Sequence, residues 1–318
     1  MFFKNLLKWL IMMTILVTIS SNSWFIYWLM MEMNLLMFIP ILNLKKKNNS
    51  NCMITYFIIQ SFSSSLFFIS MMNLNIINYK VFELMIIISM MIKLAMIPFH
   101  FWLTSFSELI EYESLFLILT MQKIIPLMVT SLIKMKITML FVILSSIFSS
   151  LLMMNLKSLK KTLIFSSISH QSWTITLIYI KSNFWLTYMV IYSFLIYKIM
   201  LTLKNKKFNY INYPTKSNFD KVSFSMMMLS LGGMPPFLGF FMKLISIIII
   251  SYNNNMIIMI LIISSIFNIF IYLRMISPTL FISMINFKNF IKLELNTNNF
   301  IMNLNLMITI FIINIMMH

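Results

Sequence analysis

Five ionisable side chains lie inside apolar runs of the sequence and away from the ends of the predicted spans. They are Glu32, Lys93, Lys123, Lys243 and, in the segment FSSISHQSW, His170. A charge in a membrane segment costs roughly 2.5 to 3.5 kcal/mol and is therefore a functional hypothesis by default. Amines, imidazoles and carboxylates all exchange protons. The five residues together predict a proton path.

Two of the apolar runs are interrupted by helix-breaking residues beside a lysine. Pro98 follows Lys93 in MIKLAMIPFHFW, and SLGGMPPFLGFFMK ends on Lys243. The second stretch holds the chain's three glycines and two of its seven prolines: Gly232, Gly233, Gly239, Pro235 and Pro236. Because proline removes a backbone donor and glycine frees the backbone, both runs predict broken helices. At membrane depth, irregular backbone is tolerated only inside protein or beside water.

Glu32 is the one acid near the middle of a predicted span, so we expect it to pair with Lys93. A switchable pair would hold and release a proton, whereas the alternative is a static structural ion pair. His170 is expected to relay protons, and the alternative is a histidine simply bonded to a neighbouring helix. Lys198 and Arg274 lie near span ends, where they can reach the interface, and are left out of the predicted site.

The composition predicts an all-α polytopic membrane bundle. Hydrophobic residues make up 60%, charged residues 10%, and the mean hydropathy is +0.92, which leaves no room for a soluble domain. A single cysteine excludes an internal disulfide, and no nucleotide or metal motif is present. Windows of about twenty residues predict eleven spans: 5–21, 23–42, 52–72, 81–103, 115–133, 137–156, 162–180, 185–203, 222–250, 256–276 and 300–317.

The two broken spans occupy matching positions in two halves of the chain. Residues 1–133 and 137–276 each supply five spans, and the fourth span of each half is the broken one. Because five is odd, the second half is predicted to be inverted relative to the first, an arrangement typical of transporters with a central ion site. Residues 278–318 are predicted to add an interfacial segment and a last span. All belong to one transmembrane domain, 1–318.

The net charge of +17 comes mostly from lysines between spans and does not indicate nucleic-acid binding. Fifteen lie at the amino terminus or after even-numbered spans: Lys4, Lys8, Lys45, Lys46, Lys47, Lys157, Lys160, Lys161, Lys204, Lys206, Lys207, Lys216, Lys221, Lys288 and Lys292. Four lie on the opposite side: Lys80, Lys134, Lys136 and Lys181. The positive-inside rule therefore places the amino terminus on the inner side and the carboxyl terminus on the outer side. Glu108, Glu111 and Glu113 cluster in one even-numbered loop, but acidic residues count little in this rule.

The segments MMEMN, MIKLAMIPFHFW, MQKIIPLM, FSSISHQSW and SLGGMPPFLGFFMK resemble the antiporter-like proton-pumping subunits of respiratory complex I, NADH:ubiquinone oxidoreductase. The residue bias, with one alanine, resembles insect mitochondrial genes. The resemblance implies a pair between Glu32 and Lys93, a central Lys123, a linking His170, and Lys243 in the second broken helix. It also implies a chain shortened at its amino end relative to bacterial relatives.

The resemblance further implies partners and a location. Other membrane-arm subunits and the phospholipid bilayer would be the partners, in the mitochondrial inner membrane with the amino terminus toward the matrix. NADH, FMN, iron-sulfur clusters and ubiquinone would belong to other subunits of the enzyme. The main competing function is a freestanding sodium/proton antiporter of the same fold. Two further functions to be weighed are a scaffold with vestigial charges and an acyl-transfer enzyme using His170 or His100.

Overall fold

The computed structural model describes residues 2–43, 50–74, 79–105, 107–206, 218–252 and 255–285. The chain forms helices α1 (Phe2–Ser20), α2 (Trp24–Asn43), α3 (Ser50–Met72), α4 (Tyr79–Leu94), α5 (Phe101–Ser105), α6 (Tyr112–Leu119), α7 (Met121–Leu132), α8 (Ile137–Met154), α9 (Leu159–Tyr179), α10 (Phe184–Lys206), α11 (Asn218–Gly232), α12 (Leu238–Ser251) and α13 (Asn255–Ile285). This confirms the predicted all-α fold for the described residues.

By length and composition, seven stretches of the described chain can cross a membrane: Phe2–Ser20, Trp24–Leu42, Met53–Met72, Tyr112–Leu132, Ile137–Met154, Phe184–Lys204 and Asn255–Ser277. Of the other four predicted spans, 81–103 and 222–250 are broken into shorter helices, and 162–180 is the hydroxyl-rich α9. The span at 300–317 lies outside the described residues. Helix α13 runs to Ile285 and so enters the predicted interfacial segment.

The outside of the bundle is apolar while its centre contains polar side chains. Trp9, Phe101 and Val190 are 72%, 70% and 66% exposed. In contrast, every residue of α9 from Thr162 to Ile178 is buried. Its serine hydroxyls bond to the helix itself, as Ser166 does to the Leu163 carbonyl at 2.9 Å, so the polar strip is satisfied without solvent. Helix α9 is thus the central element of the fold.

The first predicted break lies between α4 and α5. Helix α4 ends just before Ala95, whose φ of 56° is left-handed, and Pro98 follows in a cis peptide. The last carbonyls of a helix have no partner within it. Here the indole Nε1 of Trp102 donates to the carbonyl of Ile92 at 3.2 Å, so α5 folds back against the end of α4.

The second predicted break lies between α11 and α12. Helix α11 ends at Gly232, and Gly233 takes a φ of 87° that residues with a side chain rarely adopt. The Gly233 N–H still donates to the Leu229 carbonyl at 3.0 Å, which closes the last turn. Pro235 and Pro236, joined by a cis peptide, then separate the two helices. Both broken spans predicted from glycine and proline are therefore observed.

A third interruption divides residues 115–133, for which the sequence predicts a single span. Thr120 ends α6 and precedes α7 with φ −121° and ψ −77°, values far from helical. Its hydroxyl donates to the Phe116 carbonyl at 2.7 Å. Pro126 lies inside α7, where it has no N–H for the carbonyl of Gln122, four residues earlier. The new helix start brings Lys123 into the first turn of α7.

The acidic residues that follow the fourth predicted span form ion pairs with lysines from other helices. Glu113 contacts Lys4 at 3.0 Å and Lys8 at 3.1 Å, and also bonds Lys204. Likewise, Glu108 contacts Lys161 at 2.8 Å. These lysines come from the start of α1, the start of α9 and the end of α10, so they lie at one end of the bundle. The acids of this loop balance part of the positive charge gathered there.

Candidate functional site

Four of the predicted proton-path residues are basic and buried. Lys93, Lys123, His170 and Lys243 are only 8%, 2%, 3% and 6% exposed, respectively. They come from α4, α7, α9 and α12, so no single helix could carry them. The fold brings them together because α7 and α12 both pack against α9. These four residues are called the basic row.

Lys93 lies in the last turn of α4, directly before the first break. The carboxyl end of a helix carries a partial negative charge of about half an electron, which favours a cation there. A cavity of about 20 Å³ separates this turn from α7. Its lining includes both lysines and four neutral polar side chains: Lys93, Lys123, Asn34, Tyr56, Gln60 and Gln122.

Glu32 lies on α2, and its carboxylate accepts a hydrogen bond from the Ser64 hydroxyl of α3. The expected direct pair with Lys93 is not formed in this conformation. Among the described residues, no ion pair within 4.0 Å joins Glu32 to Lys93. The two side chains are therefore not in contact in this structure.

Lys123 reaches from α7 to α9, where its Nζ donates to the Ser167 hydroxyl at 3.1 Å. Ser167 in turn donates to the Ile164 carbonyl at 2.6 Å. Next to Lys123, the side-chain oxygen of Gln122 accepts a hydrogen bond from the Tyr56 hydroxyl at 2.7 Å. Lys123 therefore connects the cavity on one side with α9 on the other.

His170 lies three residues after Ser167, and residues at this spacing share a face of a helix. Its Nδ1 lies 2.8 Å from the Tyr188 hydroxyl of α10. Helix α9 carries His170, and both α7 with Lys123 and α12 with Lys243 pack against it. His170 therefore lies on the helix that joins the lysine of the first half to the lysine of the second, and it is bonded to α10 as well.

Lys243 folds back from α12 onto the second break. Its Nζ donates to the carbonyl of Gly232, the last residue of α11, at 2.5 Å. A β-carbon at Gly233 would lie 3.0 Å from this same nitrogen. A β-carbon at Gly239 would overlap the Ser230 carbonyl oxygen. The glycines thus allow the lysine and the first turn of α12 to lie directly against the end of α11.

Two basic residues of the predicted spans lie apart from the basic row, as predicted. The Arg274 guanidinium is exposed and donates to the carbonyl of Met154, the last residue of α8. Lys198 is partly exposed, and its Nζ lies 5.2 Å from the centre of the Phe194 ring. His100 is buried at the first break, with its ring 4.1 Å from that of Phe101.

Sequence reasoning missed several side chains that surround the basic row. Asn34, Gln60 and Gln122 are polar residues in apolar runs, but nothing in the sequence shows that they face one cavity. Ser167 belongs to a recognisable polar strip, yet its bond to Lys123 depends on how α7 packs against α9. Tyr188 has no sequence signal, because tyrosines are frequent in this chain.

The fold and the site define a polytopic helical membrane protein with a row of buried basic side chains beside two broken helices. A family model described as NADH:quinone oxidoreductase/Mrp antiporter, transmembrane region, matches residues 21–271. The chain belongs to this family.

Relatives and solved structures agree with that assignment. NADH-ubiquinone oxidoreductase chain 2 of Rhipicephalus sanguineus is 47% identical over 96% of this chain and 98% of its own length. The protein of the same name from Anopheles gambiae is 37% identical over 89% and 87%. A chain of respiratory complex I from Thermus thermophilus has a TM-score of 0.75 and 17% identity, covering 88% of this chain and 71% of that one. A chain of the Mrp complex from Dietzia has a TM-score of 0.74 and 14% identity, covering 85% and 59%. The predicted resemblance to subunits of NADH:ubiquinone oxidoreductase is confirmed, and both of these relatives are arthropod proteins.

Proposed function

We propose that this chain is a proton-translocating subunit of the membrane arm of NADH:ubiquinone oxidoreductase, in the mitochondrial inner membrane. NADH oxidation by ubiquinone would drive the proton transfer. Relatives named NADH-ubiquinone oxidoreductase chain 2 cover nearly the whole chain, which supports this function. The likeness to an Mrp complex concerns the fold alone, so no observation favours a freestanding sodium/proton antiporter.

The observation that carries the proposal is the row of four buried basic groups from four helices. A structural bundle gains little from such a row, since an uncompensated buried charge is strongly destabilising. A proton path needs it, because each group can accept and release a proton when its surroundings change. The geometry therefore fits proton transfer better than a scaffold with vestigial charges.

The first step of the route runs from Lys93 to Lys123 through the cavity between α4 and α7. A volume of about 20 Å³ accommodates a water molecule. The side-chain oxygen of Asn34 and the side-chain nitrogen of Gln122 line this cavity, and within the described part of the chain both are buried without a hydrogen-bond partner. They supply one acceptor and one donor for such a water. The water would bridge the two lysines.

The second step runs from Lys123 to His170 and on to Lys243. Ser167 accepts a hydrogen bond from the Lys123 ammonium and shares a face of α9 with His170. Because α7 and α12 both pack against α9, protonation of Lys123 or Lys243 would change the cost of protonating His170. Proton transfer along the row would thus be electrostatically coupled from the first half to the second.

Glu32 would control entry to this route. With Ser64 bonded to its carboxylate, Glu32 is out of contact with Lys93. We infer a second conformation in which the carboxylate reaches Lys93 and holds the proton there. Moving one charge against about 180 mV requires roughly 4 kcal/mol. Making and breaking one buried pair shifts a proton affinity by that order.

The test is the double variant Glu32→Gln/Lys93→Met, assembled in the enzyme and studied in sealed vesicles. Removing both charges avoids stranding either one, so we expect assembly and electron transfer with a reduced proton-to-electron ratio. Lys198→Met is the matched control, since it removes a lysine from a membrane helix outside the row. An unchanged ratio in the double variant would mean that the pair is structural and would remove this half of the route.

Partners and cofactors follow from the same proposal. Other membrane-arm subunits would surround the chain, and NADH, FMN, iron-sulfur clusters and ubiquinone would act in other subunits. Native-gel mass spectrometry from mitochondrial membranes tests this by identifying what the chain travels with. Recovery of the chain alone, with sodium/proton exchange after reconstitution, would instead establish the antiporter.

A further inference from the structure

A second and larger cavity lies away from the basic row, between α1, α6 and α10. Its volume is about 380 Å³, within the range of sites that hold small ligands. Most of its wall is formed by large, mainly apolar side chains: Phe116, Leu117, Tyr197, Met200 and Leu201. One charged residue from each helix also lines it: Lys8, Glu113 and Lys204. We propose that this cavity binds an anionic phospholipid, with an acyl chain against the apolar wall and the phosphate on Lys8 and Lys204.

The apolar wall fits an acyl chain because it continues onto the outer surface of the bundle. Leu117 and Met200 are buried at the back, whereas Tyr197 and Leu201 are exposed at the front. Along α10 these two exposed residues extend a stripe that begins with Leu186 and Val190 and faces outward along the span. A lipid tail can therefore enter from the bilayer side.

The charged end of the cavity fits a phosphate. Of the charged residues that line the cavity, Lys8 and Lys204 both contact Glu113, so two positive groups meet one negative group. The side chains of Lys8 and Lys204 are 33% and 52% exposed. An ammonium has three donors, and the bond to Glu113 uses one of them on each lysine. Both lysines can therefore also bind an anion.

The place of the cavity along the bundle favours a lipid over other anions. The lysines belong to the first turns of α1 and the last turns of α10, where membrane-spanning helices reach the head-group layer. Basic pockets between such helices select anionic head groups. A free phosphate would use only the charged end and would leave the apolar wall unoccupied.

The experiment uses the full chain in its native membrane assembly and an anionic phosphatidylglycerol with a photoreactive group in one acyl chain. We expect cross-links on α6 and α10 near Leu117, Met200 and Leu201. Unlabelled phosphatidylglycerol should compete, whereas phosphatidylcholine should not. Inorganic phosphate should not compete either, which separates the lipid from a free anion.

Two variants and one control examine the two ends of the site. Lys8→Gln/Lys204→Gln should lower the apparent affinity by about thirtyfold, on the basis of two lysine contacts near an anionic lipid. Leu201→Trp fills the apolar wall without changing charge and should also reduce labelling, so the proposal does not depend on the fold of one variant. Lys198→Gln, on the same helix but outside the cavity, should label normally.

Three results would overturn the proposal. Equal competition by phosphatidylcholine would show that the charged end has no role. Labelling that is unaffected by both variants would place the lipid elsewhere. Cross-links confined to a neighbouring subunit would show that protein covers the cavity. None of these results depends on proton translocation.

Discussion

Gly233→Ala should separate the role of the second break in positioning Lys243 from its role in packing. The glycine has a φ of 87°, and a β-carbon there would lie 3.0 Å from both Cδ and Nζ of Lys243. Alanine therefore strains the backbone and pushes the lysine away from the Gly232 carbonyl. The chain should still insert in the membrane, because the flanking apolar helices are unchanged.

The energetic cost of Gly233→Ala has two parts, the backbone strain and the loss of the Lys243 hydrogen bond. A residue with a side chain in a sparsely populated backbone region costs about 1 to 3 kcal/mol. A hydrogen bond to a charged group contributes about 1.5 to 3 kcal/mol. Together the change costs about 2.5 to 6 kcal/mol if the Lys243 bond is lost, enough to shift the lysine to another position. We expect the assembled variant to transfer electrons with a clearly reduced proton-to-electron ratio.

Gly232→Ala is the matched control, because it adds the same methyl group to the neighbouring residue. Its β-carbon would lie 3.1 Å from a ring carbon of Tyr272 on α13, and its carbonyl would remain as the acceptor for Lys243. Only Gly233 of this pair has a positive φ. The assay is the proton-to-electron ratio in sealed vesicles, normalised to assembled enzyme. A normal ratio in Gly233→Ala, or an equal loss in both variants, would refute the assigned role of Gly233 in placing Lys243.

Two further predictions concern the central lysine and the orientation. Lys123→Arg keeps the charge permanently, because a guanidinium does not release its proton, and should assemble yet pump poorly; wild-type pumping would show that Lys123 need not become neutral. The loops at 43–51, 157–161 and 204–221 should face the matrix, so protease should cleave them in inside-out and not in right-side-out vesicles. Cleavage at 204–221 only from the intermembrane side would overturn the predicted topology.

The broken helices and the buried lysines could be predicted from the sequence because their causes are local. Proline lacks a backbone donor wherever it occurs, and a lysine inside an apolar run has no neighbour in the sequence to balance it. The break at Thr120 could not be predicted in the same way, because Pro126 lies six residues away inside α7, where a proline often only bends a helix. Whether Pro126 bends the helix or interrupts it depends on the packing around Gln122 and Thr120.

The contacts between helices could not be predicted, because they depend on rotation about each helix axis. The sequence predicts that Glu32 meets Lys93, and in this conformation Glu32 bonds Ser64 of α3 instead. In the same way, the sequence shows Glu113 only as one of three acids in the loop after the fourth predicted span. Its three lysine partners come from α1 and α10, more than ninety residues away in either direction. A single sequence contains no spacing pattern from which such contacts could be predicted.

The two breaks place a lysine in the same electrostatic setting by different means. Lys93 lies in the last turn of α4 and so precedes the first break, whereas Lys243 follows the second break and reaches back to the last carbonyl of α11. At the second break the ammonium itself bonds a helix-end carbonyl, whereas at the first break Lys93 belongs to the last turn of α4, where the helix dipole favours a positive charge. A continuous helix would direct those carbonyls into its own hydrogen bonds.

This shared setting gives the broken helices a physical role in the proposed route. A lysine buried among apolar groups alone would hold its proton poorly, and one in a tight ion pair would hold it too firmly. Helix-end carbonyls lie between these extremes, since their partial charge is about half that of a carboxylate. Lys243 shows this arrangement, since its ammonium bonds the Gly232 carbonyl and, within the described part of the chain, contacts no acid. In the proposed route the breaks would let both lysines keep a proton and release it when a neighbouring charge changes.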